Sequence, residues 1–410
     1  MTRILVLNRF DLSSTPYSQW APTDAEIHLV TAEACLSDAT DLSGYAGVHA
    51  IERYSETAYV EYVADQLQRQ NSFDRIVAAS EYDLLRAARL SERWKLPGRP
   101  LDETLRYRDK ARMKAALDAS SVPVTRWATV DDPTSLLDAA RTLGFPLVVK
   151  PRRGAASRGV HVLADEADLR AFLLHSAVFS GDRSADLLLE RYVSGAFYQV
   201  DGYVRDGAVM LCWPSQTTPN LDLANGQPLI STMLEPGDGK LPGLVEITAQ
   251  ALRALGLPEV GLFHAEIFDS PRDGLLVNEI GARLGGGRIE EVLRRAFGVD
   301  PLEWYIRALF GTVTASTEPS LTPRVQAGYA KAAVRPGQVR SVAQDCPVPG
   351  VVSYYPQVAV GDRLAPPGSS DDYIAAWVAA APTRAAVRDA LKTAVEWSDG
   401  AIAITQEGGR

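Results

Sequence analysis

Cysteine is scarce in this 410-residue chain, and its three residues, Cys35, Cys212 and Cys346, stand far apart without CxxC spacing. An odd, sparse set of this kind fits reduced thiols and excludes a disulfide framework or a cysteine zinc site. Histidine is scarce too: five residues with no HxH or HExxH pattern argue against a histidine-bound metal. No apolar stretch reaches the roughly 18 residues of a membrane span. The apolar run before Asn8 is too short for a signal peptide, so a cytoplasmic location without a membrane partner is expected. Positive charge is in deficit, with 42 basic against 51 acidic residues and a net charge of −9, which disfavours nucleic acid or an anionic membrane as partner. Lysine is the scarcer cation, 7 residues against 35 arginines, so each lysine is a place to look for function. What remains is ordinary globular composition, 46% hydrophobic and 23% charged, long enough for two or three domains.

Apolar runs at Ile4–Leu7, Glu26–Val30, Gly47–Ile51 and Arg75–Ala79 alternate with helical patterns over Thr57–Arg69 and Glu81–Trp94. Alternation of this kind predicts a doubly wound α/β domain over 1–108 with a parallel sheet, although no GxGxxG follows the first strand. A helix over 109–120 opens a central α+β unit, 109–205. Its strands are expected at Arg126–Val130, in the run FPLVVKP ending at Pro151, and near 160–163, 187–193 and 197–205. The remainder, 206–410, carries a helix at Leu241–Leu255 and two strands, Gly261–Phe268 and Leu275–Ile280, joined by a turn. After a glycine run come a helix at Arg288–Phe297, β-like runs at Arg324–Val334 and Val348–Val360, and a final helix at Thr383–Glu396. Trp213-Pro214 to Pro228 reads as a lid loop.

Four features carry chemistry. Lys150 ends a buried strand, and burying an ammonium costs several kcal/mol unless an anion meets it, so a phosphate is one partner and escape to solvent the other. Two residues later the loop RRGAASRGV offers Gly154, Ala155, Ala156, Ser157 and Gly159, whose backbone N–H groups can approach an anion closely. LLLERYVSG follows, where the backbone beyond Glu190, at Arg191, Tyr192 and Val193, can read the edge of a flat heterocycle. The strongest feature is FHAEIF with VNEIGARLGGG. It sets Glu266 and Glu279 on neighbouring strands, where two carboxylates need a cation between them. All-oxygen ligands suit Mg²⁺, Arg283 at the strand exit can clamp a phosphoryl or carboxylate oxygen, and Gly285 to Gly287 open a helix whose N-terminus favours anions.

In this order the motifs resemble the ATP-grasp superfamily, and within it the carboxylate–amine ligases that join two L-amino acids. The resemblance covers about 1–400 and implies an ATP-grasp fold. In that fold a Rossmann-like N-terminal domain, an ATP-binding lid unit and a C-terminal α+β catalytic domain follow one another. It implies that Lys110 and Lys150 touch nucleotide phosphate, that 154–159 form the phosphate flap, and that Glu190 and the Arg191–Val193 backbone form the adenine hinge. It further implies that Glu266 and Glu279 hold Mg²⁺, two ions with Mn²⁺ as an accepted substitute, and that Arg283 steadies an acyl phosphate. Two departures stand out. The family's Glu after the hinge is replaced in Phe197-Tyr198-Gln199-Val200-Asp201, which leaves ribose contact to Asp201. Gly281 replaces an Asn two residues after the second metal Glu, so a third metal contact falls to water or to Asn278. His264, Gly286, Gly287 and Arg288 are expected along the substrate pocket.

The expected reaction is amide formation between two amino acids or amino-acid-like substrates through an acyl phosphate, with release of ADP and phosphate. Small molecules are then the partners, and the resemblance allows a homodimer. Two alternatives share the fold: a biotin-carboxylase-like or purine-pathway carboxylase using bicarbonate, and a non-catalytic nucleotide-binding protein. The carboxylases continue from the motif arginine into Gln-Val-Glu-His, where this chain reads Leu284-Gly285-Gly286-Gly287. A binding module has no need of both metal acids.

Overall fold

The first apolar run folds as β1 (Arg3–Asn8), with Ile4 to Leu7 buried in unbroken succession, as in a parallel sheet covered on both faces. The computed structural model describes residues 2–37, 39–180, 184–314, 320 and 322–405. β1 lies parallel to β2 (Glu26–Ala32) and β4 (Arg75–Ala78), and β3 (Gly47–Ile51) completes the order β3-β2-β1-β4. The helix expected from Glu81 begins only at Leu84. Glu81 therefore stays in the loop beyond the carboxyl end of β4, where parallel sheets present side chains to ligands.

The central unit is an antiparallel sheet of β5 (Trp127–Val130), β6 (Leu147–Pro151), β7 (His161–Leu163) and β8 (Leu187–Arg191), in the order β5-β8-β6-β7. Helix Pro133–Leu143 and an unexpected helix, Glu166–His175, place Leu136, Ala140, Leu169 and Phe172 in its core.

The remaining strands build a larger sheet from β9 (Ala196–Arg205), β10 (Ala208–Thr217), β11 (Leu229–Met233), β12 (Val260–Ser270), β13 (Gly274–Gly281) and β14 (Gln326–Ala333). After β15 (Gly337–Val342) come β16 (Val351–Pro356), β17 (Arg363–Leu364), β18 (Tyr373–Ala381) and β19 (Ile402–Thr405). Eight strands run in the order β13-β12-β9-β10-β11-β14-β18-β16, and β17-β15-β19 form a small separate sheet. Helix Arg384–Ala401 covers the far part through Val387, Leu391 and Ala394. No helix among the described residues is long and apolar enough to cross a membrane.

Two expectations are corrected here. A boundary at 205/206 cuts the β9–β10 hairpin, because β9 pairs with β10 and β12 along its length and belongs to the large sheet. Nor is Trp213 part of a lid. Trp213 to Thr217 end β10, an internal strand, with Trp213 buried and its indole N–H donating to the Leu234 carbonyl at 3.0 Å. Pro214 fits because its carbonyl still accepts from the Leu234 amide at 2.9 Å. Only 218–228 leave the sheet, around the short helix Asn220–Ala224.

Candidate active site

Asp109 organises the entrance. Its carboxylate caps the helix Lys110–Ala119 by accepting from the amides of Ala111 (3.0 Å) and Arg112 (3.4 Å), and it also binds Arg152 at 2.6 Å. The Lys110 amide donates to the Arg152 carbonyl at 3.0 Å and its ammonium to the Gly154 carbonyl at 2.9 Å. Helix start and flap start are thereby one unit. One turn on, Lys114 shares the inward face; the i, i+4 spacing in RDKARMKAAL was the signal for it.

Lys114 is wholly buried, 2.6 Å from the Thr125 hydroxyl and 3.3 Å from Glu190. Lys150, at the end of β6, lies 3.0 Å from the same carboxylate and donates to the Asn278 side-chain oxygen at 3.1 Å. Glu190 accepts from Thr125 as well, at 2.9 Å. Burial pushes the Lys114 ammonium down to about 8 against the pull of Glu190. For Lys150 burial acts the same way, but Glu190 and Glu279 outweigh it and raise the group. Burial would raise Glu190, yet Lys114 and Lys150 hold it below the ordinary carboxylate range. The Glu190 side chain, expected at the adenine hinge, lines the cleft and is engaged there by two lysines and Thr125. The Arg191 and Tyr192 amides donate to the carbonyls of Arg126 (2.9 Å) and Pro146 (3.0 Å).

Glu266 on β12 and Glu279 on β13 stand directly opposite each other in register. The register then passes to Ile267 opposite Val277, leaving Asn278 as an extra residue on β13. A bulge of this kind turns two consecutive side chains to one face. Val277 and Ile280 both enter the core, while Asn278 and Glu279 both face the cleft. Asn278 donates to Glu266 at 2.8 Å and Asn220 does so at 2.7 Å; Glu279 pairs with Lys110 at 3.2 Å. Burial would raise the Glu279 carboxyl, but Lys110 and Lys150, then Arg283, hold it down to about 2.

Behind this row, Asp201 and His264 are register partners on β9 and β12, joined at 2.8 Å. Burial works against the imidazolium, but Asp201 raises it to about 9. Asp201 does not line the cleft, which corrects its expected ribose contact: its carboxylate is spent on His264, under Gly285. A Cβ on Gly285 would lie 2.5 Å from His264 Nδ1, 2.9 Å from Asp201 Oδ1 and 2.4 Å from Ile289 Cδ1. Gly285→Ala is expected to cost about 1–3 kcal/mol through this overpacking, read as a lowered urea midpoint; an unchanged midpoint would show that the glycine is not needed for space.

Arg283 lines the cleft and donates to the Leu284 carbonyl at 2.7 Å. Its other partner is Glu81, which also binds Arg108. Sequence inspection missed Glu81, whose signal was its place just past a parallel strand. Arg288 lies outside the cleft lining. It is the N-cap of the helix Ile289–Phe297, so the expected helix start moves on by one residue, and its guanidinium stacks 3.5 Å from the centre of the Tyr355 ring. Gly286 and Gly287 do line the cleft.

The flap closes the cleft. Ala156 and Ser157 both adopt left-handed backbone, at φ +55° and +56°, which costs non-glycine residues about 1–2 kcal/mol each. Ser370 of the far loop donates its amide to the Ala156 carbonyl at 3.0 Å, and Asp371 pairs with Arg158 at 3.3 Å. The cavity of about 640 Å³ is lined by Lys110, Lys150, Glu266, Glu279 and Arg283 among others. Residues 154–158 and 190–193 line it as well, whereas Gly159 is packed against Pro151. Among the described residues no three His, Cys, Asp or Glu side chains cluster to hold a metal. The paired Glu266 and Glu279 carboxylates nevertheless suit Mg²⁺, which binds through one or two carboxylates and keeps water and phosphate as its other ligands.

Residues 115–285 match the ATP-grasp domain, and 332–396 match the L-amino acid ligase C-terminal domain 2. The L-arginine-specific L-amino acid ligase of Bacillus subtilis is 22% identical over 280 residues, 67% of this chain and 66% of that relative's length. The crystal structure of L-amino acid ligase from Bacillus licheniformis superposes with a TM-score of 0.77 at 15% identity, covering 100% of this chain and 99% of that one. A biotin carboxylase from Campylobacter jejuni gives 0.66 at 18% identity over 98% and 92% of the two chains. Likenesses at such identities establish the fold. The two domain matches go further than the fold: the chain carries an ATP-grasp domain over 115–285 and resembles the L-amino acid ligases over 332–396.

Proposed function

We propose that the protein joins a carboxylate to an amine, both belonging to amino acids or amino-acid-like molecules, at the expense of ATP. The observation that carries this reading is the in-register pair Glu266 and Glu279, facing Lys110 and Lys150 under a closed flap, with Arg283 at the exit. Lys110, Lys150 and the flap amides would hold the phosphates. The γ-phosphoryl group then leaves ADP and bonds to a substrate carboxylate oxygen. The amine nitrogen attacks the acyl carbon, the carbon–oxygen bond to phosphate breaks, and the nitrogen gives up its proton. Arg283 would steady the acyl phosphate, and the flap would keep water from it. Glu266 and Glu279 would hold Mg²⁺, which neutralises phosphate charge during transfer. No side-chain nucleophile is needed.

The test is to incubate the protein with Mg-ATP and pools of amino acids and to follow ADP, AMP and phosphate. Amino-acid-dependent ADP and phosphate are expected. AMP with pyrophosphate would sink the reading, bicarbonate dependence would favour a carboxylase, and binding without turnover a scaffold.

A further inference from the structure

Three lysines line the cleft. Lys110 meets Glu279 at 3.2 Å and Lys150 meets Glu190 at 3.0 Å, but Lys331 on β14 has no carboxylate within ion-pair distance among the described residues. It is only 6% exposed, and its ammonium has the Ser370 carbonyl at 3.2 Å and the Tyr373 ring, 4.5 Å from the centroid, for company. Asp371 acts on it from beyond ion-pair distance and is engaged by Arg158. Arg288 adds a second positive charge, with its buried Nε unpartnered. A buried ammonium so provided for is short of an anion.

The space beside it is kept open. A Cβ on Gly287 would come within 3.3 Å of the Lys331 side chain and 3.0 Å of the Tyr329 ring, and at φ +78° a side chain is disfavoured there in any case. Tyr329 donates to Gln199 at 3.2 Å, and Gln199 is the register partner of Glu266. One sheet face thus runs from Glu279 through Glu266, Gln199 and Tyr329 to Lys331.

We propose that Lys331 forms an anion subsite that seats the carboxylate of the amine-bearing substrate, with Arg288 adding positive charge from outside the cleft lining. The inference rests on the ligase reading and adds to it the side chain that holds the second substrate by its carboxylate. ATP has phosphate partners of its own at Lys110, Lys150 and the flap, which leaves Lys331 for the second substrate.

The experiment compares L-alanine, L-phenylalanine and L-arginine with their amides as nucleophiles, in the wild type and in Lys331→Met. The free acids should outcompete the amides in the wild type by about 10–100-fold in kcat/KM, the worth of a hydrogen bond to a charged group. Lys331→Met should erase that preference by raising KM for the acids while KM for ATP holds. Equal use of acids and amides by the wild type overturns the proposal without any variant. A rise confined to the KM for ATP would make Lys331 a phosphate ligand and overturn it too. If no amine supports ADP release, the ligase reading fails separately. The subsite is then judged by calorimetric titration of the same acids and amides into the wild type, where equal or absent binding overturns it.

Discussion

Glu279→Gln lowers amino-acid-dependent ADP release by about 10²–10³-fold, the range seen when one preorganised charge-stabilising group is removed from an active site. The substitution keeps shape and hydrogen-bonding capacity and removes only charge. That charge is ionised at every ordinary pH, because Lys110, Lys150 and Arg283 overcome burial and hold the carboxyl at about 2. The fold should survive. Lys150 keeps Glu190, Arg283 keeps Glu81, and Lys110 keeps the Gly154 carbonyl. The measurement is turnover against Mg²⁺ concentration, beside a thermal melt. Near-normal turnover would remove Glu279 from the metal site, and loss of cooperative melting would make it structural.

Glu190→Ala has the larger effect on stability. Glu190 is 3% exposed and neutralises Lys114 and Lys150 together, so its removal leaves two buried ammonium groups with no carboxylate at 3.0–3.3 Å. Stranding a buried charge in this way typically costs about 3–5 kcal/mol. Urea unfolding should show that loss in the transition of the central unit, and ATP binding should weaken because Lys150 is no longer held in place. A loss under about 1 kcal/mol would show that the lysines escape to solvent or bind an anion instead. The same carboxylate in an adenine hinge would leave stability almost untouched, so the experiment also separates the two assignments.

Much of the fold was legible because local patterns agreed with it. The unbroken apolar run at Ile4–Leu7 gave a parallel strand, and Leu241–Leu255 was found with its ends in place. The order of Lys150, the flap and the two glutamates pointed to the family before any coordinates did. What escaped notice depends on distance along the chain or on competing local signals. Glu81 lies 202 residues from its partner Arg283, and nothing near it in sequence announces that pairing. Lys331 sits in an alanine-rich strand whose neighbours are set by β11 and β18. Pro214 made the end of β10 read as loop, since the Trp213 and Leu234 bonds that secure it cannot be seen locally. Glu190 was assigned by position in a motif, and only the convergence of three elements shows where its side chain goes.

The extra residue at Asn278 has a further consequence for how this chain can change. Strands count in twos, and β13 miscounts once: its first half and its last are in opposite phase, and both still put apolar side chains into the same core. Deleting one residue at 278 would restore regular counting without breaking the hairpin, but it would leave a single polar position where there are now two. Adding one would restore it too, but would slide the Glu279–Gly281 end along β12, so that Glu279 no longer stood opposite Glu266. The length of this hairpin is therefore as binding a constraint on the lineage as the identity of its glutamates, and substitution tables that score residues one at a time will not register it.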